Sequence, residues 1–251
     1  MPVFISENIK IAYEDYGKGE PIILIHGFAS NAKVNWLDTG WVDILVNAGY
    51  RVITIDNRGH GQSEKLYDSK YYPAALMAHD TINLIDHLEL SSAFLLGYSM
   101  GARISAFVAM QAPQKVRGVI FGGMGINLIR GMRDSSEIIA GLRADSLEEI
   151  EHKTARQFRI FAQHTKSDLK ALAYCLSSSR DPITKEDVEK IDIPALVVVG
   201  SDDTIGGSPS DLADILPQGK SLLLEGVDHM RSTGDKRFKQ GVIDFLDENS
   251  I

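Results

Sequence analysis

Along the chain, short apolar runs alternate with longer stretches in which apolar residues recur every three or four positions. From Val3 to Tyr16 the pattern is alternating, with Ile9, Ile11 and Tyr13 set against Lys10, Ala12 and Glu14. That alternation predicts an antiparallel pair of strands with one wet face. The segments 21–26, 50–56, 92–97, 116–122, 194–200 and 221–225 are nearly unbroken apolar runs, the pattern of strands covered on both faces. Between them, Trp41, Ile44, Leu45 and Ala48 share a helical face closed by Gly49, and Met77, Thr81, Leu84 and Leu88 repeat at helical spacing. Phe238, Val242 and Phe245 do the same near the C-terminus. Strands alternating with helices predict an α/β fold: a mostly parallel β-sheet with right-handed crossovers and helices on both faces.

The rhythm breaks between Met124 and Lys190, where helical segments follow one another without a strand. Ser146 and Glu149 suggest a capping box that opens a stripe of Leu147, Ile150, Thr154, Phe158 and Phe161. A second segment carries Leu169, Leu172 and Leu176, and a third begins at Thr184 after Asp181-Pro182. The expected organisation is therefore a core made of residues 1–123 and 191–251, with residues 124–190 inserted as a helical cap, or lid. Met124, Ile129, Met132, Ile138 and Leu142 are among the apolar residues of that cap.

Composition narrows the class. A hydrophobic fraction of 44% and a charged fraction of 24% exclude disorder, collagen-like repeats and long coiled coils. Lysine and arginine number 26 against 34 aspartates and glutamates, a net charge of −8. Such a balance repels phosphate backbones and anionic lipid, so neither nucleic acid nor a membrane is expected as a partner. The lone cysteine, Cys175, permits no intrachain disulfide and no cysteine metal cluster, and its place among cap leucines reads as packing. The N-terminal segment has no basic stretch followed by an apolar run, and the apolar runs are of strand length, so a cytoplasmic chain is expected. No metal or nucleotide fingerprint sits in its proper context, so no cofactor is expected.

The strongest chemical signal is G-Y-S-M-G at 97–101. A strand runs directly into Gly97 and a helical stretch follows Gly101, the strand–turn–helix setting of a nucleophile elbow with Ser99 at its tip. A serine hydroxyl needs a base. Of the seven histidines, His79 and His87 fall on a predicted helix and His152 and His164 in the helical insertion. His26 and His60 fall in glycine-rich turns that suggest structural hydrogen bonds. His229, in G-V-D-H-M after the last strand, stands at the sheet edge where it can reach Ser99. The base needs a carboxylate to fix its tautomer, and Asp202 or Asp203, after the strand A-L-V-V-V-G, can supply it. For the oxyanion, the amide of Met100 at the helix start and that of Phe28, in the turn H-G-F, are the candidate donors. The order Ser…Asp…His is that of the α/β-hydrolases. Trp36 and Trp41 are expected to pack.

These stretches resemble the α/β-hydrolase superfamily, in its branch of small, lidded, cofactor-independent esterases and C–C hydrolases. The matching segments are H-G-F (26–28), D-N-R-G-H-G-Q-S (56–63), G-Y-S-M-G (97–101), I-P-A-L-V-V-V-G-S-D-D (193–203) and G-V-D-H-M (226–230). In the family the acid stands three residues after the strand-ending glycine, which implies Asp203, three after Gly200. The D-x-R-G-x-G-x-S loop is a structural turn there, which implies no catalytic role for Asp56 or Arg58. A serine nucleophile argues against dehalogenase and epoxide-hydrolase chemistry. The loop T-I-G-G-S-P-S departs from the proline-bearing loop of many relatives, and H-G-F lacks the glycine run of hormone-sensitive-lipase relatives. The resemblance implies a serine hydrolase acting on an ester-like bond of a small molecule through an acyl-enzyme. C–C bond hydrolysis, cofactor-free perhydrolysis or haloperoxidase chemistry, and ligand binding without turnover are the alternatives on the same scaffold.

Overall fold

A computed structural model describes residues 1–131, 135–178 and 181–250; of the cap positions singled out above, Met132 lies outside them. The strands are β1 (Val3–Ser6), β2 (Ile9–Tyr16), β3 (Pro21–Ile25), β4 (Arg51–Ile55), β5 (Ala93–Tyr98), β6 (Val116–Gly122), β7 (Ala195–Gly200) and β8 (Gly219–Leu224). They form one sheet in the order β1-β2-β4-β3-β5-β6-β7-β8. β1 and β2 make the expected hairpin and β2 runs antiparallel to β4, while every later pairing is parallel.

In chain order the helices are α1 (Trp41–Asn47), α2 (Ala74–His87), α3 (Met100–Gln111), α4 (Asn127–Arg130), α5 (Ser136–Arg143), α6 (Lys153–His164), α7 (Leu169–Leu176), α8 (Lys185–Val188), α9 (Pro209–Ala213) and α10 (Lys236–Asn249). Side chains alternate across each strand, so the sheet buries two cores. Ile22, Leu24, Phe94, Leu96 and Val198 meet Trp36, α1 and α10 on one face. Ile23, Ile25, Leu95, Phe121 and Val197 meet α2, α3 and α9 on the other. Trp36 and Trp41 are fully buried and meet edge to face, with ring centroids 6.0 Å apart, so both pack as expected. Among the described residues no strand lies between β6 and β7, and the helices there share a core of their own, including Ile138, Leu142, Ala155, Ala162 and Leu172.

Three local expectations differ from the structure. The run 221–225 reads as a doubly covered strand, but β8 closes the sheet as an edge and only its Leu224 is buried; an edge strand has a neighbour on one side only. Ser146 Oγ donates to the Glu149 carboxylate at 3.3 Å, a side-chain contact without the side-chain-to-backbone bonds of a capping box. The helix instead starts at Lys153, where the His152 ring nitrogen accepts the Ala155 amide at 3.2 Å. Its buried face is Ala155, Arg159 and Ala162, with Thr154 exposed. Ala48, at the C-terminus of α1, is exposed rather than on the buried face.

The loop 56–63 after β4 frames the end of the sheet. Asp56 accepts the Ala32 amide at 2.8 Å through one oxygen and the Gln62 amide at 2.7 Å through the other. Ser63 Oγ donates to the Asp56 carbonyl (2.6 Å) and accepts the Ala12 amide (2.9 Å), tying the loop to β2. Arg58, fully buried, makes a bidentate pair with Asp80 of α2 at 2.7 and 2.8 Å and donates to the Tyr71 carbonyl at 3.0 Å. Two buried imidazoles sit against this loop, with ring centroids 5.2 Å apart. His26 Nδ1 donates to the Gly27 carbonyl (2.8 Å) while Nε2 accepts the Asn57 amide (3.0 Å), a pattern that only the neutral ring can make. Burial lowers the His26 pKa to about 4. Burial, then the neighbouring His26, lowers that of His60 to about 3.

Removing one member of the Arg58–Asp80 pair strands a buried charge, only partly met by Glu7 at 3.7 Å. Asp80→Ala is expected to lower unfolding free energy by about 3–5 kcal/mol, and the double variant Arg58→Met/Asp80→Leu to recover most of it in urea titrations. The histidine pair sets an acid limit. Both rings are neutral when folded and take up protons freely near pH 6.5 once unfolded. Stability is therefore complete above about pH 6.5 and falls as pH drops towards 4, by about 1.4 kcal/mol per pH unit for each ring. Urea unfolding that is unchanged between about pH 7 and about pH 5 would contradict this.

Candidate active site

The site forms where β3, β5, β7 and β8 end. β5 runs into Ser99, which adopts φ 55° and ψ −110°, a conformation that costs an L-residue free energy. Close approach on both sides enforces it. A Cβ on Gly97 would lie 2.3 Å from the Gly101 carbonyl oxygen, and one on Gly101 would lie 2.0 Å from that of Ile25. Only glycine lets the first turn of α3 rest on the end of β3. The Ser99 amide donates to Gly122 at 2.8 Å and its carbonyl accepts the Arg103 amide at 3.2 Å, so both sides of the turn are anchored.

The side chains singled out by chain order meet in space. Ser99 Oγ lies 3.0 Å from His229 Nε2, and His229 Nδ1 lies 2.7 Å from Asp203 Oδ2. The Asp203 side chain is fully buried, and its other oxygen accepts the amides of Ile205 (2.7 Å) and Gly206 (2.9 Å). As an acceptor, the carboxylate requires the proton on Nδ1 and so turns the lone pair of Nε2 towards Ser99. Asp202 is exposed and accepts from Ser201 Oγ at 3.0 Å, away from this relay. Of the two aspartates left open by residue reading, Asp203 is the one brought to His229.

Phe28 and Met100 lie on the two turns that flank Ser99. Among the described residues no backbone hydrogen bond engages the amide of either. Met100 opens α3, where unpaired N–H groups and the helix dipole favour negative charge. Phe28 precedes Ala29, another non-glycine residue at positive φ (58°). The Gly27 amide donates to buried Asn35 at 3.1 Å, which pins the same turn from behind. Apolar groups surround it: the Phe28 ring lies 5.9 Å from Phe158 of α6, and Cys175 Sγ is 4.0 Å from Met100 Sδ. Cys175 is buried as expected.

Of the other histidines, His79 pairs with Glu7 at the surface and His87 stacks on Phe4, whereas His152, expected inside a helix opened at Ser146, instead caps α6. Sequence reading misses several supporting contacts. Tyr98 donates its hydroxyl to the His229 carbonyl and packs its ring 5.3 Å from the imidazole. Burial raises the Tyr98 pKa, reinforced by the charge of Asp203, so the phenol stays protonated and able to donate. Thr165, just after α6, donates to the Ala29 carbonyl at 2.9 Å. Arg103 donates to the Leu128 carbonyl at 2.9 Å and also to that of Asp181, fastening both ends of the helical insertion to α3. The only advance signal for Tyr98 was its place inside the glycine–serine motif; the rest depend on pairings distant in sequence. Among the described residues no group of three or more metal-ligating side chains converges, and no helix is long and apolar enough to cross a membrane.

Comparison with known proteins agrees with this architecture. The family described as alpha/beta hydrolase fold matches residues 20–140. A non-heme chloroperoxidase of Kitasatospora aureofaciens is 27% identical over 99% of this chain and 100% of its own length. The crystal structure of a bromoperoxidase from Bacillus anthracis superposes with a TM-score of 0.77 at 26% identity, covering 95% of this chain and 96% of that one. An esterase from Exiguobacterium antarcticum shares the fold with a TM-score of 0.81 at 21% identity, over 98% and 100% of the two chains. The sheet order, the helices on both faces and these similarities together show that the chain has the α/β-hydrolase fold.

Proposed function

We propose that the chain is a serine hydrolase that cleaves an ester-like bond of a small molecule through an acyl-enzyme. The observation that carries this reading is the unbroken relay from Ser99 through His229 to Asp203, at 3.0 and 2.7 Å. His229 Nε2 takes the Ser99 proton as Oγ attacks the carbonyl carbon, and the carbonyl π pair moves onto oxygen. The amides of Phe28 and Met100 receive that oxyanion. Collapse re-forms the carbonyl and expels the alcohol, to which His229 returns the proton. Water then loses a proton to His229, attacks the acyl carbon, and Ser99 leaves with the proton restored. Asp203 remains ionised throughout, held by two backbone amides, and stabilises the imidazolium.

Residues 124–190 act as the lid. Their helices meet the Phe28 turn and Met100 through Phe158, Thr165 and Cys175, so the acyl group enters between apolar surfaces that exclude water. The substrate is a small, largely apolar molecule; neither nucleic acid nor a membrane takes part. The single cysteine, buried and reduced, suits the cytoplasm. A second reading is favoured by the relative named as a chloroperoxidase, which aligns with 99% of this chain. On the same acyl-enzyme, hydrogen peroxide in place of water releases a peracid and free Ser99, with no cofactor needed.

Ser99→Ala is expected to lower turnover of p-nitrophenyl esters by at least about 10³-fold and to abolish fluorophosphonate labelling while thermal unfolding is retained. Persistent labelling would remove Ser99 from the role. Asp203→Asn should cost about 10³–10⁴-fold in kcat, whereas Asp202→Asn should stay within about threefold; equal losses would undo the distinction. Rates with acetate and hydrogen peroxide, set beside the ester series, separate perhydrolysis from hydrolysis.

A further inference from the structure

We propose that Tyr98 is the positioning residue of His229: its hydroxyl and the Asp228 carboxylate grip the two ends of one peptide unit, so that the residue preceding the nucleophile also aims the base. The inference rests on His229 acting as the base of Ser99.

The His229–Met230 peptide carries one acceptor, the His229 carbonyl, and one donor, the Met230 amide. The carbonyl accepts from the Tyr98 hydroxyl, and the amide donates to Asp228 Oδ1 at 3.0 Å. The same carboxylate oxygen accepts the Arg231 amide at 2.9 Å, and Ser232 Oγ donates to the Asp228 carbonyl at 2.8 Å. With both ends of the plane held, the backbone at His229 is fixed, and the Cα–Cβ bond that carries the imidazole starts out in one direction. That direction brings Nε2 to 3.0 Å from Ser99 Oγ. Asp203 alone does not achieve this, because a bond at Nδ1 still allows the ring to swing about the N–H···O axis.

The slot for the Tyr98 ring is built into the neighbouring strand. A Cβ on Gly123, at φ 61°, would lie 2.7 Å from the phenol Cζ, and one on Gly122 would lie 3.0 Å from Cδ2. Consecutive glycines at the end of β6 thus admit the ring. Tyr98 is 5% exposed, with its imidazole neighbour 5.3 Å away. β5 leads from this side chain to Ser99 without an intervening residue, so nucleophile and clamp move as one segment.

Tyr98→Phe keeps the ring and removes only the donor; Tyr98→Leu empties the slot. In Tyr98→Phe, kcat on p-nitrophenyl esters and the rate of fluorophosphonate labelling should fall about tenfold. KM should stay within about twofold, and the thermal midpoint within about 2 °C. The downfield proton resonance of the His229–Asp203 hydrogen bond should broaden as the ring gains freedom, a change that a purely structural tyrosine would not produce. An unchanged kcat and resonance in Tyr98→Phe would overturn the proposal. So would a kcat loss matched by a raised KM and a lowered midpoint, equal to those of Tyr98→Leu. His229→Ala separates the two levels. If it is inactive while Tyr98→Phe behaves as wild type, only the clamp fails; if it turns over esters normally, the base assignment and the clamp fall together.

Discussion

Everything at the site depends on how closely the first turn of α3 can approach the end of β3. The Gly101 backbone rests against the Ile25 carbonyl, where a methyl group would overlap an oxygen 2.0 Å away. That approach forces Ser99 into its strained turn and sets the Met100 amide at the helix start opposite the Phe28 turn. The strain is offset by the anchoring bonds of Ser99 to Gly122 and Arg103 and by the packed sheet beneath. Loosening the contact would move the hydroxyl and the candidate oxyanion donors together, because they share a few residues of backbone.

Around this fixed point the remaining groups are held from behind rather than from the site itself. Asp203 is gripped by the amides of its own loop, and His229 by its carbonyl and the following amide. The H-G-F turn is braced by Asn35, by His26 and by the loop that Arg58 and Asp80 lock onto α2. The buried charge and the neutral imidazoles of that frame carry no part of the proposed reaction. They make the frame rigid at neutral pH and vulnerable to acid.

The loops of the site were legible because each follows directly on a strand whose apolar run is unmistakable: Ser99 after β5, Asp203 after β7, His229 after β8. Chain order and the sheet's parallel topology then brought them to one edge. Residue type alone could not choose between Asp202 and Asp203, since both lie on the same loop; burial and the direction of the side chain separate them. The exposure of β8 was not legible, because an edge strand and a central strand can carry the same leucines. The start of α6 is not legible because Ser146 and Glu149 have the residue types of a capping box but bond only side chain to side chain, with no helix behind them. Tyr98, Asp80, Thr165 and Arg103 act through partners far away in sequence, and local pattern carries no record of such partners.

The hydrogen bond from Thr165 to Ala29 joins a helical insertion to the turn that presents the Phe28 amide. Ala29 sits at a positive φ that it would leave readily if unrestrained. That bond therefore ties the packing of those helices to the conformation of the turn: whatever disturbs one disturbs the other. A ligand that draws the helices onto the core also stabilises the strained turn. In the reaction proposed above, a transition state that drew on the Phe28 amide would by the same contact favour the packed helices.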